Sequence, residues 1–225
     1  MNQDSLKTIK EKAYELIIFD CDGTLVDSEF LSNQVVAGMI RELGISLSDE
    51  EAYKIFSGTS MSDIITYIET QLGRPLNFDF EAAFRPRVQK VFEQQLKPMP
   101  GVVNFINRLT TISCVASNGP RIKMETTLKV TGLDQYFSGE DIFSAYDLQK
   151  WKPEPDLFQF AAHKKGCQLH KCLVIEDSHS GVSAALKADM DVIVIEDPID
   201  PSRTATLGVP VMQSFDHLGM TFFSI

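Results

Sequence analysis

Leu16-Ile17-Ile18-Phe19 runs straight into Asp20-Cys21-Asp22-Gly23-Thr24-Leu25-Val26-Asp27. Four apolar residues with no polar alternate read as a strand buried on both faces, the signature of a parallel sheet covered by helices. Outward from this stretch, Ile112 to Ala116, Cys172 to Ile175 and Val192 to Ile195 have the same character, and each follows helix-like sequence. Strands alternating with helices imply an α/β fold with a Rossmann-like parallel sheet. Val209 to Met212 is expected to add an edge strand.

Between the first and second of these strands lies a long segment without strand character. Helical spacing covers Phe30 to Leu43 and stops at Gly44. Ser48-Asp49-Glu50-Glu51 has the form of a capping box and opens a helix through Phe56. Asp63 to Leu72 is a third helix, stopped by Gly73. Phe80 to Leu96 is a fourth, with Pro86 near its start. Lys97-Pro98-Met99-Pro100-Gly101 then returns the chain. Residues 28–97 are therefore expected to form an inserted α-helical domain, and residues 1–27 with 98–225 the α/β core.

In a parallel sheet, ligands bind beyond the carboxyl ends of the strands. Asp20 and Asp22 fall there, and two carboxylates one residue apart call for a cation. Mg2+ is the natural one, a hard ion held by one or two carboxylates together with substrate phosphate. Gly23 permits the tight turn. A solvated Asp-x-Asp-Gly turn explains this stretch equally well by itself. Ser117-Asn118-Gly119-Pro120, at the end of the second strand, suits a phosphate at a helix start, and suits plain helix capping as well. Lys152, fixed by Pro153, is a point charge for phosphate or a solvated loop lysine. Trp151 beside it reads as packing on the core surface. Glu176-Asp177-Ser178 puts a second acidic pair at a third strand end, either as metal ligands or as acids favoured at a helix N-terminus. Each bland reading stands alone; their joint occurrence, in order and at strand ends, favours one site.

That order resembles the haloacid dehalogenase superfamily over nearly the whole chain. Asp20-x-Asp22-Gly-Thr-Leu-Val-Asp-Ser matches its first motif, Ser117-Asn118 its second, Lys152-Pro153 its third, and Glu176-Asp177-Ser178 with Gly181 and Ala184-Ala185 its fourth. The helical insertion is similar to the cap of the β-phosphoglucomutase and phosphoglycolate phosphatase branch. The resemblance implies that Asp20 is a nucleophile forming an aspartyl phosphate, and that Asp22 is the general acid and base. It further implies Mg2+ held by Asp20, the Asp22 carbonyl and Asp177 with Glu176 at or beside it, and phosphate held by Ser117, Asn118 and Lys152. In the cap, Ser28, Ser32, Gly58, Thr59, Ser60 and Met61 are expected to face substrate. Cys21 is expected to point away from the chemistry and to pack.

Dehalogenases of this superfamily lack the second acid, so Asp22 argues for phosphoryl transfer. Sugar phosphomutases of the branch carry a histidine on the first cap helix where this chain has Ser32. They also carry a lysine and an arginine around a cap-loop glycine where Ser57 and Met61 flank Gly58. A phosphatase is thus expected, with a mutase and a catalytically degenerate binding module as alternatives. Ser113 to Pro120 and Tyr146 to Pro153 resemble the branch of bacterial 6-phosphogluconate phosphatases, which points to sugar or sugar-acid phosphates as substrates.

Composition agrees. The 225 residues carry a formal net charge of −10, which disfavours nucleic acid and anionic membranes as partners. No Gly-x-Ser-x-Gly elbow, P-loop, dinucleotide fingerprint or zinc-ligand spacing occurs. The polar stretch Met1 to Lys12 has no apolar run of a secretory kind, and the four cysteines form no Cys-x-x-Cys pair. The expectation is a cytoplasmic monomer with reduced thiols, acting on a small phosphorylated metabolite.

Overall fold

The structure is a computed structural model that describes residue 9, residues 11–205 and residues 207–222. Most of the polar N-terminal stretch lies outside the described residues. The chain divides into two compact units, one of residues 1–26 and 97–225 and one of residues 27–96.

The first unit is built on six strands: β1 (Leu16–Phe19), β2 (Ile112–Ser117), β3 (Ile142–Ser144), β4 (Cys172–Glu176), β5 (Asp191–Ile195) and β6 (Val211–Met212). They lie in the order β3-β2-β1-β4-β5-β6, and every pairing is parallel. All four residues of β1 are buried, because it pairs with β2 on one side and β4 on the other and has helices on both faces. Full burial of each such side chain contributes roughly 1.5–3 kcal/mol. Alternation along β1 then sorts its neighbours. Leu16 and Ile18 enter a core with Leu157, Phe158, Ala161, Ala184 and Val192. Phe19 faces the other way, against the rings of Phe105, Phe137 and Phe215. The same alternation carries on past the strand and puts Asp20 and Cys21 on opposite sides.

The helices of this unit are α5 (Val102–Arg108), α6 (Arg121–Val130), α7 (Ala145–Leu148), α8 (Asp156–Lys164), α9 (His179–Lys187), α10 (Ser202–Ala205) and α11 (Phe215–Phe222). Strand β3 was not expected from the sequence. It has three residues, too few for periodicity to register, and is specified by its pairing with Val115 to Ser117.

The second unit holds α1 (Ser28–Glu42), α2 (Asp49–Phe56), α3 (Met61–Leu72) and α4 (Phe80–Gln95). Val36, Ala37, Ile40, Phe56, Ile68 and Phe80 form its own buried core. Capping boxes open α2 at Ser48 with Glu51 and α3 at Ser60 with Asp63, and Gly73 closes α3 in the left-handed conformation at φ 66°. Each such cap satisfies backbone N–H groups that would otherwise lack partners. Pro86 sits inside α4, which continues past it. Among the described residues, no helix is long and apolar enough to cross a membrane.

Candidate active site

The site residues of the first unit stand at the carboxyl ends of its central strands. Phe19 is in register with Val115 and with Ile175, so the next residues, Asp20, Ala116 and Glu176, are abreast. The backbone N–H of Asp20 donates to the carbonyl of Ile175 at 2.9 Å, which ties the residue to β4.

Lys152 reaches into this position from the loop before α8. Its Nζ donates to Asp20 Oδ1 at 2.5 Å and to Glu176 Oε1 at 2.6 Å, and stands 4.7 Å from the ring centre of Phe158. Lys152 is 5% exposed, Asp20 7% and Glu176 0%. One ammonium thus lies between two buried carboxylates. Burial pushes the Asp20 carboxyl up to about 7 against the pull of Lys152, with the Glu176 and Asp22 charges adding to the rise. Burial also pulls down the Lys152 ammonium, but Asp20 and Glu176 beside it hold it above its ordinary value. The lysine stays charged and the net local charge is negative.

Glu176 was expected beside Asp177 as a metal ligand, and its oxygens are otherwise engaged. Oε2 accepts from the N–H of Asp177 at 2.9 Å, the N–H of Ser178 at 2.8 Å and the Ser178 hydroxyl at 2.8 Å, while Oε1 takes Lys152. Three of the four donors crowd Oε2, while Oε1 takes only Lys152 and keeps one lone-pair position. In this arrangement Glu176 holds Lys152. Gly181 makes this possible, since a Cβ there would overlap the Glu176 carboxylate. Gly181→Ala should therefore push Glu176 off Lys152. We expect a loss of about 2 kcal/mol or more in stability, by overpacking, and a kcat reduced at least ~10-fold. Chemical denaturation and steady-state rates check both; an unchanged kcat would count against the Glu176–Lys152 support.

Asn118, expected to hold phosphate, has its side chain turned to the lysine loop. Its Oδ1 accepts from the Lys152 N–H at 2.8 Å and its Nδ2 donates to the Lys152 carbonyl at 3.2 Å. This two-point clamp fixes the backbone from which the ammonium projects. Ser117 is buried at the end of β2, and its Oγ accepts from the Gly119 N–H at 3.3 Å. The Ser144 hydroxyl donates to the Gly119 carbonyl at 2.7 Å, so β3 buttresses the same turn.

Asp22 Oδ2 accepts from Lys123 Nζ of α6 at 2.8 Å. The position that a Cβ on Gly119 would take lies 3.5 Å from Asp22 Oδ2 and 3.8 Å from Ser117 Oγ. The acid and the hydroxyl both border one bare glycine. Asp177 is joined to the first motif as well: the Thr24 hydroxyl donates to its Oδ1 at 2.9 Å. Gly23, at φ +82°, has no side chain where the Asp177 carboxylate passes. Only glycine takes that backbone angle without strain. Cys21 is fully buried, with its Sγ 3.8 Å from Thr127 Oγ1, as the strand alternation requires. Trp151 packs edge-on against Tyr146, at 5.7 Å between ring centres.

The four motif clusters are thus linked by side-chain contacts. Among the described residues, no three His, Cys, Asp or Glu side chains are arranged to hold a metal. Mg2+ does not require that. It takes one or two carboxylates and fills its octahedron with water and substrate oxygens. An acid-rich, all-oxygen donor set suits a hard cation.

In the helical unit, the expected contact residues all have local partners. The Ser32 hydroxyl donates to the Ser28 carbonyl at 2.8 Å. The Gly58 N–H donates to Glu29 Oε1 at 2.7 Å, and the Thr59 hydroxyl to the Phe56 carbonyl at 2.8 Å. Ser60 is the N-cap of α3, and Met61 is its first residue. Lys123, Thr24 and Ser144 were not singled out from the sequence. Lys123 lies six residues past Ser117 and belongs to no motif; only a basic residue in the first turn of a helix could have drawn notice.

The model of the haloacid dehalogenase-like hydrolase family matches residues 17–195. The chain is 33% identical over 205 residues to 6-phosphogluconate phosphatase of Escherichia coli (strain K12), covering 91% of each chain. Among solved structures, it is similar to a haloacid dehalogenase-like protein of unknown function from Agrobacterium tumefaciens. The TM-score is 0.84 and the identity 32%, over 94% of this chain and 98% of that one. A hydrolase of the same family from Deinococcus radiodurans, with bound phosphate and sodium, gives a TM-score of 0.81 at 27% identity, over 92% and 94%. With its motifs gathered at the strand ends and a family model spanning most of its length, the chain belongs to the haloacid dehalogenase-like hydrolases.

Proposed function

We propose that the protein is a Mg2+-dependent phosphatase that hydrolyses small phosphorylated metabolites, sugar or sugar-acid phosphates, with 6-phosphogluconate a candidate. The observation that carries this reading is the buried Lys152 ammonium between Asp20 and Glu176, with Asp22 and Ser117 both bordering Gly119. The phosphatase name of the Escherichia coli relative and the phosphate bound in the Deinococcus structure support the substrate class.

In this mechanism, Asp20 attacks phosphorus, the bond from phosphorus to the substrate oxygen breaks, and Asp22 donates a proton to that oxygen. Asp22 then takes a proton from water as the water oxygen attacks phosphorus, which releases phosphate and restores Asp20. Lys152 and the Ser117 hydroxyl stabilise charge on the transferring oxygens. Asp20, the Asp22 carbonyl and Asp177 would hold Mg2+, which offsets repulsion between the anionic nucleophile and the anionic substrate. We assign substrate choice to the helical unit as a cap, through Ser32, Gly58, Thr59 and Ser60.

A screen of sugar phosphates and sugar-acid phosphates with and without Mg2+ tests the reading. We expect phosphate release that stops with EDTA and returns with added Mg2+, by at least ~100-fold. Metal-independent release, or isomerisation of glucose 1-phosphate outrunning phosphate release, would overturn it.

A further inference from the structure

Helix α6 starts immediately after the Ser117-Asn118-Gly119-Pro120 turn and carries two cations in its first turn, Arg121 and Lys123, with no acid there. The positive end of a helix dipole disfavours both, by about 0.3–1 kcal/mol each. Each is matched to a carboxylate from elsewhere. Arg121 binds Asp147 at 2.7 Å, and Lys123 binds Asp22 at 2.8 Å. The first pair ties α6 to α7. The second ends on a residue that the proposed mechanism uses.

The Lys123 side chain is 40% exposed and that of Asp22 is 24% exposed. A half-exposed ion pair contributes little to stability, about 0–1 kcal/mol. Holding the fold together is thus a weak reason for a lysine at an unfavourable helix position. Its geometry offers a better one. The Lys123 stem passes over Gly119, with its Cδ 3.9 Å from the position a Cβ there would take, and Asp22 Oδ2 and Ser117 Oγ border the same point. The lysine therefore grips the Asp22 carboxylate beside the hydroxyl at the end of β2.

We propose that Lys123 is the positioning residue for Asp22. It fixes the rotation of that carboxylate, so that proton transfer to the substrate oxygen, and later from water, starts from one geometry. This rests on the reading of Asp22 as general acid and base. Misplacing such a group by an ångström costs on the order of 10²-fold in rate. The effect on kcat/KM, which reports the steps up to departure of the leaving group, must depend on that group, because an alkyl oxygen needs the proton as it departs and a nitrophenolate hardly does; the later attack of water is common to both substrates.

The test compares 6-phosphogluconate, a primary alkyl phosphate, with p-nitrophenyl phosphate in Lys123→Met and Lys123→Arg. We expect Lys123→Met to lower kcat/KM on the alkyl phosphate roughly 10- to 100-fold, within the range that general acid catalysis supplies. On p-nitrophenyl phosphate kcat/KM should stay within about 3-fold, and the thermal midpoint within about 3 °C. Lys123→Arg, which keeps the cation, should regain most of the lost rate. Equal losses in kcat/KM on both substrates, or no recovery with arginine, would overturn the proposal. Asp22→Asn tests the underlying reading separately: an unchanged kcat/KM on 6-phosphogluconate in that variant would remove the general acid assignment, and this proposal with it.

Discussion

Asp20→Asn should abolish turnover on every phosphate ester while leaving the protein folded. Loss of a nucleophile that works in a concerted set costs on the order of 10⁶-fold in kcat in well-studied hydrolases; a fall of at least ~10⁴-fold is expected here, measured as phosphate release under saturating Mg2+. Asparagine keeps the size of the side chain and an oxygen for Lys152. The stability change has a definite sign. Burial raises the Asp20 carboxyl from 3.8 to about 7 in the metal-free protein. A group whose folded value is raised stabilises fully below its unfolded value, and that contribution is lost as pH climbs through the folded one. Metal-free wild type should therefore lose stability relative to Asp20→Asn between about pH 4 and pH 7. Parallel denaturation curves for the two proteins across that window would show that Asp20 is not desolvated as described.

Lys152→Met should be the most damaging single change to stability among the site residues. Methionine has nearly the right volume but no charge, and it leaves Asp20 and Glu176 facing each other in a buried space without their shared cation. Removing one partner of a buried ion pair costs about 3–5 kcal/mol, which for a chain of this size lowers the thermal midpoint by roughly 10 °C. The rate should fall as well, by about 10²- to 10³-fold, since a charge aimed at the transferring oxygens is gone. Lowering the pH should restore part of the lost stability in the variant, because the unpaired acids then protonate. A midpoint within about 2 °C of wild type would mean that Lys152 does not neutralise both carboxylates.

The positions of the reactive groups were legible in the sequence because strand ends are legible. Leu16 to Phe19 is a run of four apolar residues that stops at an acid, and the next acid follows two residues later. Cys172 to Ile175 stops at Glu176 in the same way. Neither stretch needs long-range information to be recognised. The division of labour within the motifs was less legible. Asn118 and Glu176 look alike to Ser117 and Asp177 at the level of residue type. Only their distances separate them: Asn118 clamps the Lys152 backbone, and Glu176 takes Lys152 on one oxygen and three local donors on the other. Lys123 was invisible because nothing in its local sequence distinguishes it from any exposed helical lysine.

Local patterning by itself determined the parallel sheet, the helical insertion and the strand-end sites of Asp20, Ser117 and Glu176, because periodicity, capping and breakers act over a few residues. Tertiary structure decided which carboxylate meets which lysine. Lys152 lies 132 residues from Asp20 and Lys123 lies 101 residues from Asp22, and no local preference reaches so far. Those pairings follow from strand order and register, which bring separate strand ends abreast. Where the groups share a space shielded from water, as Lys152, Asp20 and Glu176 do, the cost of an unpaired charge selects the partner.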